Sequence, residues 1–440
     1  MKKNGFTLVE LLSIVVILGI IVVVALPQIS GSIGSKKEKQ YNKIVKIVEN
    51  AGKVYLTENG TMDSVSIDKL IESDYLTSGL KNPINNAPLT GCVKKIISDG
   101  VTKYKYEVDN CPNYLTTYIM DLYDNEETRI ENGLKKDNTP DQNIRYYGSN
   151  PNNYVLFNNE LWRIIGVFGS NVKLVRSEKL GNLSWDSSES SINYGWGINQ
   201  WGESTYEDGT SYPGSDLMQY LNKMYYGGTS VTCYGGSKNS TTTCPTGTID
   251  ETSKSLIDYH TWNTGAIDVT DTTIVNQETF ALNTVPFYNA ERGNVTGKIC
   301  NGVDDCNDTV ERKTTWTGYV GLPYVTDWAY ASSESDCETN MYAGINATAS
   351  SDDEAFVNMT CKKNNWMHHG TTDIEDATWY LSPYADPDFA NCVWSVYGVG
   401  NTDNGNAASP LSAFPTIYLK SNVLKLEGTG TSTDPYELSL

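Results

Sequence analysis

The chain has 440 residues, which is too long for one small core, so two or three globular units are expected. Its formal net charge is −20, and residues 112–440 carry most of the excess, with 42 acidic and 19 basic residues. Such an acidic part repels nucleic acid as a whole, which argues against DNA binding as its role.

The first 27 residues form the most distinctive segment, MKKNGFTLVELLSIVVILGIIVVVALP. From Phe6 to Pro27 the chain is apolar apart from small polar residues and Glu10. A charge inside a membrane-length helix costs about 2.5–3.5 kcal/mol on insertion scales, so this glutamate calls for a functional explanation. The segment predicts a single transmembrane helix over residues 6–27, because no second apolar run of this length follows. The lysines before it place the leader inside the cell and the rest outside.

Residues 5–12, G-FTLVELL, resemble the leader of type IV prepilins and of the pseudopilins of secretion and competence systems. The resemblance implies that residues 1–5 are a leader, with Gly5 as its last residue before the cut of a prepilin peptidase. It also implies that Phe6 is the N-methylated new N-terminus. Glu10 would neutralise the α-amino group of a neighbouring subunit during assembly, which is what a buried carboxylate needs. The alternatives are an ordinary secretory signal, cut near Ala25, and a plain signal anchor, which has no need for Glu10.

Residues 28–111 are predicted to form a pilin-like stalk helix and head. The helix is expected to run from Phe6 to about Glu58, roughly 80 Å at 1.5 Å per residue, with a kink at Pro27. Residues 92–111 predict a β-hairpin that turns near Asp99-Gly100. Its open ends carry two cysteines that could form a disulfide, Cys92 and Cys111. The arrangement resembles the minor pilins of Gram-positive bacteria.

Residues 112–150 are predicted as a linker with a helix, and residues 151–440 as a Trp/Tyr-rich extracellular domain. All ten tryptophans lie beyond residue 150. The strands predicted there are Tyr154–Phe157, Leu161–Phe168, Val172–Arg176 and Pro415–Leu419, with a helix through Leu217, Leu221 and Met224. Long polar loops favour one large α+β domain, and a C-type-lectin-like fold is one option for it. Its first strands and the C-terminal segment resemble a module of unknown function that follows prepilin leaders in Firmicutes-like bacteria.

The chain has nine cysteines. Sequence proximity suggests that three further pairs form disulfides, Cys233 with Cys244, Cys300 with Cys306, and Cys337 with Cys361. This pairing leaves Cys392 free and buried, although spacing alone leaves the connectivity open. A structural zinc site is the disfavoured alternative, because the chain has no C-x-x-C pair and only three histidines.

No catalytic motif is evident, so the chain is not predicted to be an enzyme. A Cys361/His368 dyad can be drawn, but a loop histidine of this kind is more often a surface residue. No cofactor is expected, with one calcium ion as the exception to consider, because oxygen ligands cluster at three places. These clusters are Asp304, Asp305, Asn307 and Asp308; Asp352, Asp353 and Glu354; and Asn401, Asp403 and Asn406.

The aromatic residues favour a binding surface, because Tyr and Trp offer rigid contact area with a polar tip. Tyr194, Trp196 and Trp201 are predicted to face a ligand. The sequence thus predicts a minor, tip-located pilin that presents an adhesion module. The alternatives are a pseudopilin of a type II secretion or competence system and a membrane-tethered surface hydrolase. The expected partners are other pilin subunits, the prepilin peptidase, the assembly platform and the membrane, with no nucleic acid. The expected location is a single-pass protein of the cell membrane that enters a surface filament.

Overall fold

The computed structural model describes residues 33–58, 63–98, 100–109, 111–187, 197–205, 211–236, 239–268, 270–276, 281–293, 314–342, 360–369, 376–385 and 391–440. The chain divides into two compact units, residues 1–114 and 115–440. We call them unit 1 and unit 2. Within the described residues, strands outweigh helices.

Unit 1 is one helix packed on a small antiparallel sheet. Its helices are α1 (Ile33–Glu58) and α2 (Ile67–Glu72), and its strands are β1 (Ser64–Ser66), β2 (Cys92–Ser98) and β3 (Val101–Glu107). The sheet has the order β1-β2-β3, and the pair Ser98–Val101 places a two-residue turn at the predicted position. Gly100 has a φ of +75°, which suits a tight hairpin turn.

The amphipathic pattern of α1 explains its packing. Its apolar face supplies Ile44, Val48 and Ala51 to a core that includes Val93 of β2. Helix and sheet are in very close contact at Gly52, where an added Cβ would lie 2.4 Å from the Cβ of Val93. Only glycine allows this approach.

Among the described residues the predicted long apolar helix is not seen, and this corrects the predicted fold class. The helix that is described begins at Ile33, and the side chains of its early residues 36–40 are charged or polar and exposed. In the part of the chain that the structure describes, no helix is long and apolar enough to cross a membrane, and this finding contradicts the predicted single-pass location. Residues 6–27, on which the transmembrane prediction was based, lie outside the described residues.

Unit 2 is built on two sheets, the larger with seven strands. These strands are β4 (Leu134–Lys136), β5 (Ile144–Tyr146), β6 (Tyr154–Phe157), β7 (Glu160–Phe168), β8 (Asn171–Arg176), β17 (Val320–Gly321) and β23 (Thr416–Tyr418). Their order is β17-β23-β8-β7-β5-β4, with β6 also paired to β7. Ile164 and Leu174 belong to one core, whereas Ile165 and Val175 belong to another. The central strands are therefore buried on both faces, which explains their continuous apolar sequence.

The second sheet has five strands: β9 (Gly181–Ser184), β19 (Ala377–Pro383), β20 (Cys392–Tyr397), β21 (Thr402–Asn406) and β22 (Pro410–Ala413). Their order is β21-β20-β19-β22-β9. Five two-stranded ribbons complete the described strands: β10 (Ser204–Thr205) with β11 (Ser211–Tyr212), β12 (Cys233–Tyr234) with β13 (Thr241–Thr242), β14 (His260–Asn263) with β16 (Thr315–Gly318), β15 (Ala281–Asn283) with β18 (Asn340–Tyr342), and β24 (Leu424–Lys425) with β25 (Leu438–Ser439).

The helices of unit 2 are short. They are α3 (Leu115–Asp124), α4 (Glu126–Asn132), α5 (Asp216–Gln219, continued by a π-helical segment Tyr220–Tyr226), α6 (Glu251–Leu256), α7 (Thr284–Glu291) and α8 (Val325–Tyr330), with 3-10 turns at Ser335–Glu338 and Thr360–Lys362. The mainly β architecture corrects the predicted α+β and C-type-lectin-like domain. Residues 115–146, predicted as part of a linker, supply α3, α4, β4 and β5 of unit 2 because their apolar residues, such as Ile119 and Tyr146, enter its core.

Three of the predicted disulfides are present: Cys92–Cys111, Cys233–Cys244 and Cys337–Cys361. Cys392 is buried and takes part in none of these three disulfides, as predicted. The fourth predicted pair, Cys300 with Cys306, lies outside the described residues. Disulfides of this kind are typical of proteins from oxidising compartments.

Candidate functional site

A cavity of about 300 Å³ lies in unit 2, where three segments meet. One is residues 200–203, the stretch before β10. The second is the β14–β16 ribbon together with Thr264, the residue after β14, and the third is Pro383 at the end of β19. We call this cavity the Trp316 pocket. Its lining residues are Gln200, Trp201, Gly202, Glu203, Thr264, Thr315, Trp316, Thr317 and Pro383.

Two indole rings form the aromatic wall of the Trp316 pocket. Trp201 is only 1% exposed, and its ring centroid lies 4.8 Å from that of Trp185 and 5.9 Å from that of Trp316. Trp185 in turn contacts Trp379 of the five-stranded sheet. Trp316 remains partly exposed at the end of this chain of indoles. The core therefore holds the wall rigidly, while one ring stays accessible to a ligand.

Two glycines make room for the Trp316 ring. An added Cβ at Gly202 would lie 2.3 Å from Cδ1 of Trp316, and one at Gly318 would lie 1.9 Å from Cη2 of the same ring. Neither distance is compatible with a side chain, so the indole rests directly on glycine backbone. Trp262, paired with Trp316 across the ribbon, donates a hydrogen bond from Nε1 to the Gly318 carbonyl at 3.2 Å.

Gln200, one of the lining residues, has a buried side-chain oxygen without a hydrogen-bond donor among the described residues. Gln200 is 5% exposed, and its Nε2 donates to the Gly202 carbonyl at 2.9 Å. Its Oε1 is buried and has no hydrogen-bond partner among the described residues. Such an atom costs about 1–3 kcal/mol when nothing donates to it. The Nε1 of Trp201 is likewise buried without a described partner.

Glu203 gives the Trp316 pocket its charge. Its side chain is exposed, and it is the one charged residue among the described lining residues. The threonines at 264, 315 and 317 add hydroxyl groups. The lining residues therefore include a carboxylate, threonine hydroxyls and two indoles.

Beside the ribbon, the core contains a network of buried charges. Arg145 donates from Nε to Asp137 at 2.8 Å and from Nη1 to Asp327 at 2.5 Å, and Lys173 donates to the other oxygen of Asp327 at 2.5 Å. These four side chains are at most 1% exposed, so a ligand cannot reach them. Their role is structural.

Burial and pairing shift the pKa values of this network in opposite ways. Burial alone would raise the pKa of Asp327, but Lys173 and Arg145 outweigh it and lower that pKa to about 2. Burial lowers the pKa of Lys173 to about 8, although Asp327 opposes the shift. Both groups are therefore charged at neutral pH, because each charge stabilises the charged form of the other group.

The network also fixes the edge of the Trp316 pocket. The Nζ of Lys173 lies 4.1 Å from the ring centroid of Tyr324, whose backbone N–H donates to Asp327 at 3.0 Å. The Tyr324 hydroxyl donates to the Asn263 carbonyl and accepts from the Asn263 N–H, both at 2.9 Å. Asn263 directly precedes Thr264 of the pocket lining. The buried charges thus hold the end of β14 in place.

The structure corrects one predicted site residue and leaves several others untested. Trp201 is buried rather than exposed, because Trp185 and Trp316 pack on it, although it does line the pocket. A dyad of Cys361 with His368, which the sequence allows but does not favour, is not formed, because Cys361 is in the predicted disulfide with Cys337. Five other predicted site residues lie outside the described residues: Gly5, Phe6, Glu10, Tyr194 and Trp196.

The calcium expectation also finds no site among the described residues. No group of three or more His, Cys, Asp or Glu side chains there is arranged to hold a metal ion. The clusters at 304–308 and 352–354 lie outside the described ranges. In the third cluster, Asp403 and Asn406 each accept a backbone hydrogen bond, from Asn404 and Ala408.

Sequence reasoning missed Gln200, Trp316 and the two glycines beneath the ring. The alternating pattern Thr-Trp-Thr-Gly at 315–318 does predict a strand with one apolar face. Nothing in the local sequence indicates that this strand pairs with residues 260–263, and the pocket depends on that pairing.

Comparisons of the chain with protein-family models, with curated proteins and with solved structures give no match.

Proposed function

We propose that this chain is a type IV pilin-like subunit of the minor kind, with unit 2 as its binding module. The observation that carries the proposal is the order of two features. A leader-like segment with Gly5, Phe6 and Glu10 comes first, and a helix packed on a three-stranded sheet follows. The Cys92–Cys111 disulfide joins the two ends of the hairpin in that unit.

The size of unit 2 supports a minor subunit rather than a major one. Residues 115–440 form a compact unit much larger than the helix-and-sheet unit before it. A module of this bulk on every subunit would crowd a filament. Its Trp316 pocket combines a partly exposed indole with polar groups, which is typical of a small-ligand site. A few copies of the chain in a filament would be enough to present this pocket.

The proposal is tested by recovering filaments from producing cells and identifying their subunits by mass spectrometry. The wild-type chain is expected in the filament fraction at low copy. Glu10→Ala should reduce that fraction strongly, because the carboxylate that pairs with the next subunit's amine is lost. Glu38→Ala is the matched control, since Glu38 is exposed on α1, and it should be recovered like the wild type.

Two results separate the proposal from its alternatives. Recovery of the chain with a secretion machinery, and never with filaments, would favour a pseudopilin. Equal recovery of Glu10→Ala and wild type would show that Glu10 has no pairing role and would contradict the pilin-like assembly.

A further inference from the structure

Three tyrosine rings form a stack at the surface of unit 2. The rings of Tyr226 and Tyr319 lie face to face, with centroids 4.0 Å apart and an angle of 12° between their planes. The ring of Tyr259 packs on that of Tyr319 at 4.8 Å, and Tyr259 is 60% exposed. Tyr259 is therefore the outer ring of the stack, and it offers a ring face to solvent.

Two threonine hydroxyls continue this surface along the β14–β16 ribbon. Thr261 and Thr317 are exposed and paired across the ribbon, and their Oγ1 atoms are 3.2 Å apart. Side chains two residues apart on a strand share a face and are about 7 Å apart, so these hydroxyls follow directly on Tyr259 and Tyr319. We call the three tyrosines and two threonines the tyrosine platform. Thr317 also lines the Trp316 pocket, so the platform and the pocket adjoin.

Hydrogen bonds from the core hold the stacked pair in place. Tyr226 ends the π-helical segment, and Oδ1 of Asn222 in that segment accepts from the backbone N–H groups of Tyr319 and Val320 at 3.2 and 3.0 Å. Its Nδ2 donates to the Val320 carbonyl at 2.8 Å. π-Helical segments are rare and often occur at functional sites. The rings are thus positioned before a ligand arrives, which lowers the entropic cost of binding.

The backbone on both sides of Tyr259 is anchored as well. The Asp258 N–H donates to the Tyr418 carbonyl at 2.8 Å, and the His260 ring stacks on the buried Tyr418 ring at 3.7 Å. Asp258 also pairs with Nδ1 of His260 at 3.0 Å. The exposed ring of Tyr259 therefore projects from a fixed stretch of chain.

The chemistry of the tyrosine platform favours an uncharged, hydroxyl-rich ligand. Its five members are all uncharged, and they combine aromatic faces with hydroxyl groups. A sugar ring has the complementary surface, because its C–H groups form an apolar face and its hydroxyls donate and accept at the rim. The chain carries a net charge of −20, most of it in residues 112–440, which repels nucleic acid and acidic polysaccharides.

A proline-rich peptide fits the stack less well. Such peptides dock into grooves between aromatic side chains. The rings of Tyr226 and Tyr319 are in direct contact and leave no groove between them. On Tyr226 the Nζ of Lys254 lies 5.5 Å from the ring centroid, and this ammonium is already paired with Glu251 at 2.7 Å. The accessible face is that of Tyr259, which suits one flat ring.

From this geometry we infer that the tyrosine platform binds an uncharged oligosaccharide, with one sugar ring stacked on Tyr259 and the next hydrogen-bonded to Thr261 and Thr317. The inference rests on the proposed role of unit 2 as a binding module and names its ligand class. Because the platform continues into the Trp316 pocket through Thr317, the ligand is expected to be a chain of several sugar units.

Calorimetric titration of the full chain at physiological salt tests the inference. The uncharged probes are cellohexaose, mannohexaose, laminarihexaose and N-acetylchitohexaose, and the acidic probe is hexagalacturonate. At least one uncharged probe should bind, and hexagalacturonate should bind at least about tenfold more weakly than that probe because of its charge. Decaproline serves as the peptide probe and should not bind.

Three variants locate the binding. Tyr259→Ala should weaken it on the order of tenfold, the loss that follows removal of one ring at sites where bases stack, whereas Tyr259→Phe should retain it. Thr261→Val should weaken it about two- to tenfold through the lost hydroxyl. Ile130→Ala is the matched control, because Ile130 is 67% exposed on α4 of unit 2, and its affinity should be unchanged. Equal urea midpoints of unfolding check that the variants fold like the wild type.

Four results would overturn the inference: no binding of any uncharged hexasaccharide, unaltered affinity in Tyr259→Ala, tighter binding of hexagalacturonate, or binding of decaproline in place of the sugars. These failures are distinct from failure of the proposed function. A chain that enters filaments but binds no uncharged probe contradicts only the ligand class. A chain that binds such a probe through Tyr259 but is absent from filaments contradicts only the pilin-like role.

Discussion

Removing the Asp327 carboxylate should destabilise unit 2 more than any surface change. Asp327 accepts from Lys173 and Arg145 at 2.5 Å each and from the Tyr324 N–H at 3.0 Å. Arg145 keeps Asp137 as a second partner at 2.8 Å. In Asp327→Asn, Lys173 therefore loses its one counter-ion among the described residues while it stays fully buried.

The expected cost follows from that uncompensated charge. Breaking one side of a buried ion pair typically costs about 3–5 kcal/mol. A domain has about 5–15 kcal/mol in total, so the variant should lose a large share of its stability. Burial already lowers the pKa of Lys173 to about 8, and loss of Asp327 removes the main influence that opposes this shift. Lys173 should then lose its proton near neutral pH, which limits the cost.

Urea unfolding under oxidising conditions, followed by tryptophan fluorescence, measures the change. Every tryptophan lies in unit 2, so the signal reports this unit. Glu251→Gln breaks an exposed pair with Lys254 and is the control, with an expected change of less than about 1 kcal/mol.

A double variant decides whether the cost comes from the unpaired charge. Lys173→Met added to Asp327→Asn removes that charge, so the double variant should be more stable than the sum of the two single changes. A loss below about 1 kcal/mol in Asp327→Asn, or strict additivity in the double variant, would refute the reasoning.

Two further predictions concern pH and the pocket wall. Burial raises the pKa of Asp403 to about 6. The folded state therefore binds more protons than the unfolded state between about pH 4 and 6. The free energy of unfolding should fall across this range, and the contribution of the protonated carboxyl group is lost as the pH rises through 6. Asp403→Asn should therefore gain on the order of 2 kcal/mol relative to wild type between pH 4 and pH 7 in urea titrations, and a pH-independent difference would contradict this. Gly318→Ala should lower the free energy of unfolding by about 1–3 kcal/mol, because its methyl group would overlap the Trp316 ring. Gly236→Ala, whose methyl group meets no atom closer than 3.2 Å, should cost less in urea unfolding, and unchanged stability of Gly318→Ala would contradict the packing of the ring on this glycine.

Local patterns predicted the local parts of the fold. The strands beginning near Tyr154, Leu161 and Val172 are present within one residue of their predicted bounds, because each is a short apolar run between turn residues. The hairpin of β2 and β3 and three disulfides join residues that are close in sequence. Contacts between residues that are close in sequence can be recognised from the local sequence.

Long-range pairing could not be predicted in this way. The larger sheet places β17 and β23 beside β8, and the pocket requires residues 260–263 to pair with 315–318. Lys173 and Asp327 give no local sign that they meet in the core, since a lysine in a strand usually indicates an exposed position. Trp201 is predicted from the sequence to face a ligand, whereas the indoles of Trp185 and Trp316 enclose it.

The N-terminal peptide of the protein isolated from producing cells tests the pilin-like assignment most directly. Mass spectrometry of that peptide should show a chain that begins at Phe6 and carries one methyl group on its α-amino nitrogen. A chain that begins at Met1, or one cut after Ala25, would contradict the pilin-like assignment.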